Sequence, residues 1–154
     1  MNVFLTDEQP VPVDLARVRL LAEMVLIQQG FPTESEVTVM LVTDDDMAGY
    51  NDRFMSRSGP TDVLAFPLET LQAGVAPEWR PGDPPISIGD VIIAPDYVGR
   101  QAEEHGSEFT DELSLMVVHG MLHLMGWDHA DDAQADAMES RERHLLSTIG
   151  VKRP

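Results

Sequence analysis

Three histidines fall within one short stretch of the chain, His119-Gly120-Met121-Leu122-His123-Leu124-Met125-Gly126-Trp127-Asp128-His129. His119 and His123 are four residues apart, so on a helix their imidazoles project from one face, one turn from each other. Gly126 lets the chain reverse sharply after such a helix. His129 can then return to the same point from the far side. Three neutral imidazoles converging on one point suit a zinc ion with an open fourth position; nickel, copper or cobalt would accept the same donors. A lone histidine on an apolar helix is ordinarily a core residue with a satisfied hydrogen bond. Three at this spacing read as a metal site, because imidazoles on a buried helix are costly to desolvate without partners.

The arrangement His-x3-His-x2-Gly-x2-His is also the ligand spacing of the metzincin peptidases, in which the residue after the first histidine is a glutamate acting as general base. Here that residue is Gly120. Peptidase activity is therefore not expected. Metal-assisted hydrolysis remains open as a reaction class, with the base supplied elsewhere or with bound water acidic enough to act unaided. Asp128 is placed to hydrogen-bond either a ligand imidazole or the backbone of the turn. Trp127 reads as packing beside the site, Asp62 and Asp90 as loop-stabilising residues, and His105 and His144 as surface residues.

The elements that would carry these groups follow from periodicity and punctuation. The helix bearing His119 and His123 starts at Ser107 or Thr110, runs to about Met125, and is apolar nearly all round (Leu113, Leu115, Met116, Val117, Val118, Met121, Leu122, Leu124), the mark of a central, buried helix. Upstream, Val3–Leu5 reads as a short strand. Asp14 caps a helix to Gln29, Val37–Val42 is a strand, and Asp44 or Asp45 opens an acidic helix towards Phe54. Val63–Phe66 and Ile86–Ile93 are strands, the second with a bulge at Gly89-Asp90. Between them lies a proline-rich surface loop over residues 67–85. Pro95 fits the first turn of a helix to about Glu104, and Asp131 or Asp132 caps a last helix to Thr148. The order β-α-β-α-β-β-α-α-α makes a small α+β domain with a few strands packed on the buried helix.

Composition bounds the partners. The 154 residues carry 27 Asp+Glu against 10 Lys+Arg, a formal net charge of -17, with no cysteine. At 43% hydrophobic the chain is too apolar for an acidic disordered tail. So strong an acidic excess counts against coating nucleic acid by bulk attraction, which needs Lys and Arg to displace counterions from phosphate. It counts equally against polybasic membrane binding. It leaves room for a nucleic-acid enzyme with a local basic patch. No basic, apolar leader opens the chain and no apolar run approaches a membrane span, so a cytoplasmic domain is expected.

The histidine motif resembles the signature of the YbeY family, bacterial single-strand-specific endoribonucleases and rRNA maturation factors. Pro60-Thr61-Asp62-Val63-Leu64-Ala65-Phe66-Pro67 is similar to that family's Pro-Thr-Asp-Val-Leu-Ser-Phe-Pro strand, with Ala65 in place of Ser, and Ile88-Gly89-Asp90-Val91-Ile92-Ile93 is similar to its Leu-Gly-Asp-Ile strand. The resemblance spans essentially the whole chain. It implies one zincin-like α+β domain over residues 1–154, a small mixed sheet packed on a metal-binding helix, and one zinc ion on His119, His123 and His129. It further implies single-stranded RNA as substrate in 16S rRNA 3′-end maturation and ribosome quality control, and ribosomal proteins or ribosome-associated factors as partners, with neither DNA nor a membrane among them. One departure stands out. The family usually has an arginine six residues before the Thr of its strand, facing the zinc cleft, and that position here is Met55. Arg57 and Arg53 flank it, and either reaches the cleft if the loop Ser56–Gly59 is flexible. The expected catalytic pair is His119 and Arg57. A non-catalytic zinc-bound ribosome assembly factor, or a zinc hydrolase on another substrate, are the alternatives.

Overall fold

A computed structural model describes residues 1–154 as nine elements: β1 (Asn2–Glu8), α1 (Leu15–Gln28), β2 (Ser35–Val42), α2 (Asp44–Met55), β3 (Val63–Pro67), β4 (Ile86–Ile93), α3 (Pro95–His105), α4 (Phe109–Leu124) and α5 (Asp132–Ser147). The strands form one mixed sheet in the order β1-β2-β4-β3. β1, β2 and β4 run parallel, and β3 pairs antiparallel with β4 at the edge. This is the α+β architecture the pattern predicts, in the same element order. No helix is long and apolar enough to cross a membrane.

Period-2 alternation sorts the strand side chains to two faces. Val37, Val39, Leu41, Ile88, Val91 and Ile93 join the main core of 27 buried residues, together with α1 and α4. Val42 and Ile92 face the other way, onto Met47 of α2, with Tyr50, Leu64 and Phe66 packed around them. The expected bulge is present. Glu36 pairs Ser87 and Val37 pairs Gly89, leaving Ile88 as the extra residue. Gly89 sits at φ +134, where a Cβ would stand 2.2 Å from the carbonyl oxygen of Phe66.

Several boundaries differ from the sequence reading, each for a local reason. β1 extends to Glu8 because Thr6, Asp7 and Glu8 keep their ladder to Met40, Leu41 and Val42 although their side chains are polar and exposed. The cap of α2 is Thr43, whose hydroxyl accepts from the Asp46 amide at 3.2 Å; the three aspartates occupy the first turn instead. The cap position of α4 is Glu108, which makes no side-chain cap bond. There Glu112, 1% exposed, accepts from Ser107 Oγ at 2.8 Å and stands 2.8 Å from His105 Nδ1. His105 is a surface residue, as is His144, but one that helps hold the start of the central helix.

Helix α4 touches β3, β4, α1, α3 and α5, and Met116, Met121 and Met125 are core residues. Its approach to the sheet is set by Gly120. A Cβ there would stand 2.6 Å from Val91 Cγ1 and 3.2 Å from Val63 Cγ2. Any side chain at Gly120 must push the helix off the strands, so Gly120→Ala should destabilise the fold by about 1–3 kcal/mol through overpacking. Val91→Ala in the same chain should relieve part of that loss, giving a sub-additive double variant in urea unfolding. An unfolding midpoint unchanged by Gly120→Ala would contradict the close approach.

Candidate metal centre

Because α4 is regular through both residues, the four-residue spacing does place His119 and His123 on one face, with ring centroids 4.5 Å apart. The helix stops at Met125, and Gly126 at φ +94 turns the chain. A Cβ at Gly126 would lie 2.2 Å from the Leu71 carbonyl oxygen, so the proline-rich loop also demands glycine there. The turn returns His129 to 4.9 Å from His123 and 5.8 Å from His119, centroid to centroid. One ligand atom from each of the three rings lies within 4.8 Å of the others. Asp128 shapes this turn rather than holding an imidazole. Its carboxylate accepts from the His129 amide at 2.8 Å.

The proton positions of two of the rings follow from their neighbours. His123 Nδ1 is 3.0 Å from the carbonyl oxygen of Trp127, an atom that only accepts, so Nδ1 carries the hydrogen. His119 Nδ1 donates to Glu142 Oε1 at 3.4 Å. In the neutral rings both Nε2 atoms therefore present lone pairs, and those atoms are 3.0 Å apart. A proton between them would require an imidazolium. Burial first, then the nearby His119 and His129, hold His123 down from its ordinary 6.5 to about 4, so near neutral pH His123 does not itself take up that proton. Two facing lone pairs with a third imidazole beside them fit a cation. Tetrahedral ligands at zinc distances stand about 3.3 Å from each other, close to the separation observed.

Glu142 was not singled out from sequence, yet it is 1% exposed and reaches His119 from α5. Its signal was positional. It lies between Met138 and Leu145 at helical spacing, on the buried face of α5, where a carboxylate needs a partner. A carboxylate on the far nitrogen of a metal-binding histidine fixes its tautomer and orientation. Arg153 was missed as well. Its Nε lies 3.6 Å from Glu142 Oε2.

These groups border an open cleft of about 690 Å³ whose walls include Val63 and Ala65 of β3, Trp127 and the three histidines. Arg57 lines it, as does Met55. The loop carrying Arg57 need not flex to get there. Asn51, 5% exposed, donates from Nδ2 to the Gly59 carbonyl at 2.9 Å and accepts at its own carbonyl from the Arg57 amide at 3.2 Å. Arg53 instead lies over the Phe54 ring, 5.6 Å from its centroid, and is not part of the cleft wall. Trp127 borders the cleft and packs against the main core, with the Arg141 guanidinium 5.7 Å from its centroid. Asp62 uses its carboxylate on the Val63 amide at 2.7 Å, at the start of β3. Asp90 lies within β4, paired with Phe66.

The pattern of the whole chain matches known proteins. The family model described as Endoribonuclease YbeY matches residues 5–150. A protein of Thermobifida fusca named Endoribonuclease YbeY is 40% identical over 147 residues, covering 96% of this chain and 93% of that one. Relatives of the same name from Acidothermus cellulolyticus and Salinispora tropica are 37% and 35% identical, each over 96% of this chain and over 90% and 96% of their own length. A solution structure of a Thermotoga maritima protein shares the fold, with a TM-score of 0.60 at 23% identity, covering 96% of this chain and 91% of that one. With the motif, the fold and the near full-length matches in agreement, the chain belongs to the YbeY endoribonuclease family.

Proposed function

We propose that the chain is a metal-dependent endoribonuclease that cuts single-stranded RNA, with zinc held by His119, His123 and His129. The reading rests on one observation above others: three imidazoles, two with facing lone pairs, border an open cleft that also holds the Arg57 guanidinium. Membership in a family named for endoribonuclease activity supports the substrate class. Within that class we assign maturation of the 3′ end of 16S rRNA and ribosome quality control in the cytoplasm, with ribosomal proteins or ribosome-associated factors guiding so acidic a chain to its RNA.

Each protein group has a task in this reading. The zinc ion, when bound, would supply a Lewis acid for a phosphoryl oxygen or lower the pKa of water. Glu142 and the Trp127 carbonyl hold the protons of His119 and His123 on Nδ1 and so keep both Nε2 atoms free as donors of electron pairs. Arg57 presents a fork of N–H groups to phosphate oxygens and offsets the charge that gathers on them in the transition state. No carboxylate occupies the position of the peptidase base, because Gly120 lies tight against Val91. Peptide hydrolysis is correspondingly disfavoured.

Cleavage of a short single-stranded RNA tests the assignment. His119→Ala and treatment with a chelator should each abolish it, and Arg57→Ala should slow it by about 10²-fold, as for loss of one stabilising donor. Met55→Arg, which adds a guanidinium at the cleft wall, should raise the rate. Cleavage indifferent to His119→Ala would identify a contaminating nuclease. Zinc uptake without cleavage would favour the non-catalytic assembly factor.

The depressed pKa of His123 carries a stability consequence for the metal-free protein. Between the unfolded value of 6.5 and the folded value of about 4, the unfolded state binds more protons than the native state. The contribution of His123 is therefore complete above pH 6.5 and is lost as pH falls towards 4. Urea midpoints of the metal-free protein should fall over this window more steeply than those of metal-free His123→Ala. Parallel pH profiles for the two proteins would contradict the shift.

A further inference from the structure

We propose that Arg153 is a second phosphate-binding residue of the cleft, held beside the metal centre by buried Glu142 and directed at the backbone of the RNA strand; this rests on the endoribonuclease reading. The segment after α5 is fixed before it reaches the cleft. Val151 is 8% exposed, packs into the main core, and donates its amide to the Leu146 carbonyl at 3.0 Å. Two residues later Arg153 lines the same cleft as His119 and His129.

The guanidinium is positioned but largely unfilled. Its one hydrogen bond runs from Nη1 to the Pro154 carbonyl at 3.3 Å. Nε is buried without a partner, 3.6 Å from Glu142 Oε2, and Nη2 is 4.0 Å from Glu139 Oε1. Glu142 Oε2 is likewise buried and unbonded. These separations keep the cation near the carboxylates by charge while leaving most N–H groups free for another acceptor. Glu142 thus serves two neighbours, His119 through Oε1 and Arg153 through Oε2. The side chain is 24% exposed, so it remains accessible from the cleft.

Electrostatics point to the ligand. The cleft's cationic side chains are Arg57 and Arg153 against the acidic Asp62, Asp128 and Glu142, and a divalent metal on the three histidines would tip that balance to positive. In a chain of net charge -17, a polyanion gains attraction only where cations are concentrated. Arg57 comes from the loop before β3 and Arg153 from the segment after α5, and α4 packs against both β3 and α5. The two arginines therefore border the cleft of the histidines from different elements, which suits two phosphates of one strand.

Binding of a 2′-O-methyl single-stranded oligoribonucleotide to the zinc-loaded protein, followed by fluorescence anisotropy over a salt series, separates this role from a purely structural one. Arg153→Gln should weaken binding about tenfold and reduce the slope of log K against log salt by about 0.7, the loss of one phosphate contact on a single strand. Arg153→Lys should keep the wild-type slope. Thermal melting of both variants reports any change in fold. Wild-type binding with an unchanged slope in Arg153→Gln would overturn the assignment of Arg153 alone. Absence of salt-dependent binding by the wild type would overturn this inference and the endoribonuclease reading together.

Discussion

Two imidazole nitrogens, Nε2 of His119 and Nε2 of His123, face each other across 3.0 Å with their lone pairs exposed. Electrostatics alone would drive them apart, and the surrounding structure prevents it. Helix α4 fixes the backbone spacing. Trp127 takes the far proton of one ring and Glu142 that of the other. Burial and the neighbouring rings keep His123 from resolving the conflict by taking up a proton. The fold thus maintains a cluster that is unfavourable by itself and favourable around a cation. Such preorganisation would let a metal bind without rearranging the core, because the site's cost is met by packing that is already present.

The central helix can carry this burden because it is tied at both ends and along its length. Near its start, buried Glu112 is bound by Ser107 and His105; near its histidine-bearing end, buried Glu142 of α5 reaches His119 and approaches Arg153. Buried carboxylates are destabilising unless paired, and both are paired with histidine. Between them Gly120 seats the helix on Val91 and Val63. The missing side chain at Gly120 brings α4 against β4 and edge strand β3. The cleft lies where that strand, the helix and the turn meet. Around it the chain is strongly acidic, so attraction to RNA is confined to a few cationic positions. That distribution favours guided encounter over indiscriminate coating of nucleic acid.

Much of this was legible in the sequence where local rules dominate. The nine elements appear in their expected order because the strands carry β-branched runs, the helices carry amphipathic or apolar spacing, and glycines and prolines punctuate them. The histidine cluster was legible because i, i+4 spacing on a helix is fixed geometry and Gly126 marks the return. Gly89 foretold the bulge. What local rules miss is tertiary. Glu142 and Arg153 look like ordinary polar residues until α5 and the segment after it are docked on α4. Thr43 was obscured as a cap by the three aspartates that follow it. The choice between Arg53 and Arg57 depended on Asn51 bracing a loop, a contact that neither spacing nor composition encodes.

The role of the histidine cluster depends on whether a single cation bridges the facing imidazoles. Anomalous diffraction from crystals of the zinc-loaded protein, recorded on both sides of the zinc absorption edge, measures this directly. A metal centre at this cluster should give one edge-specific peak per chain, with nitrogen atoms of His119, His123 and His129 at about 2.0–2.1 Å from it. An edge-specific peak away from these three residues, or none with the two Nε2 atoms still face to face, would contradict it.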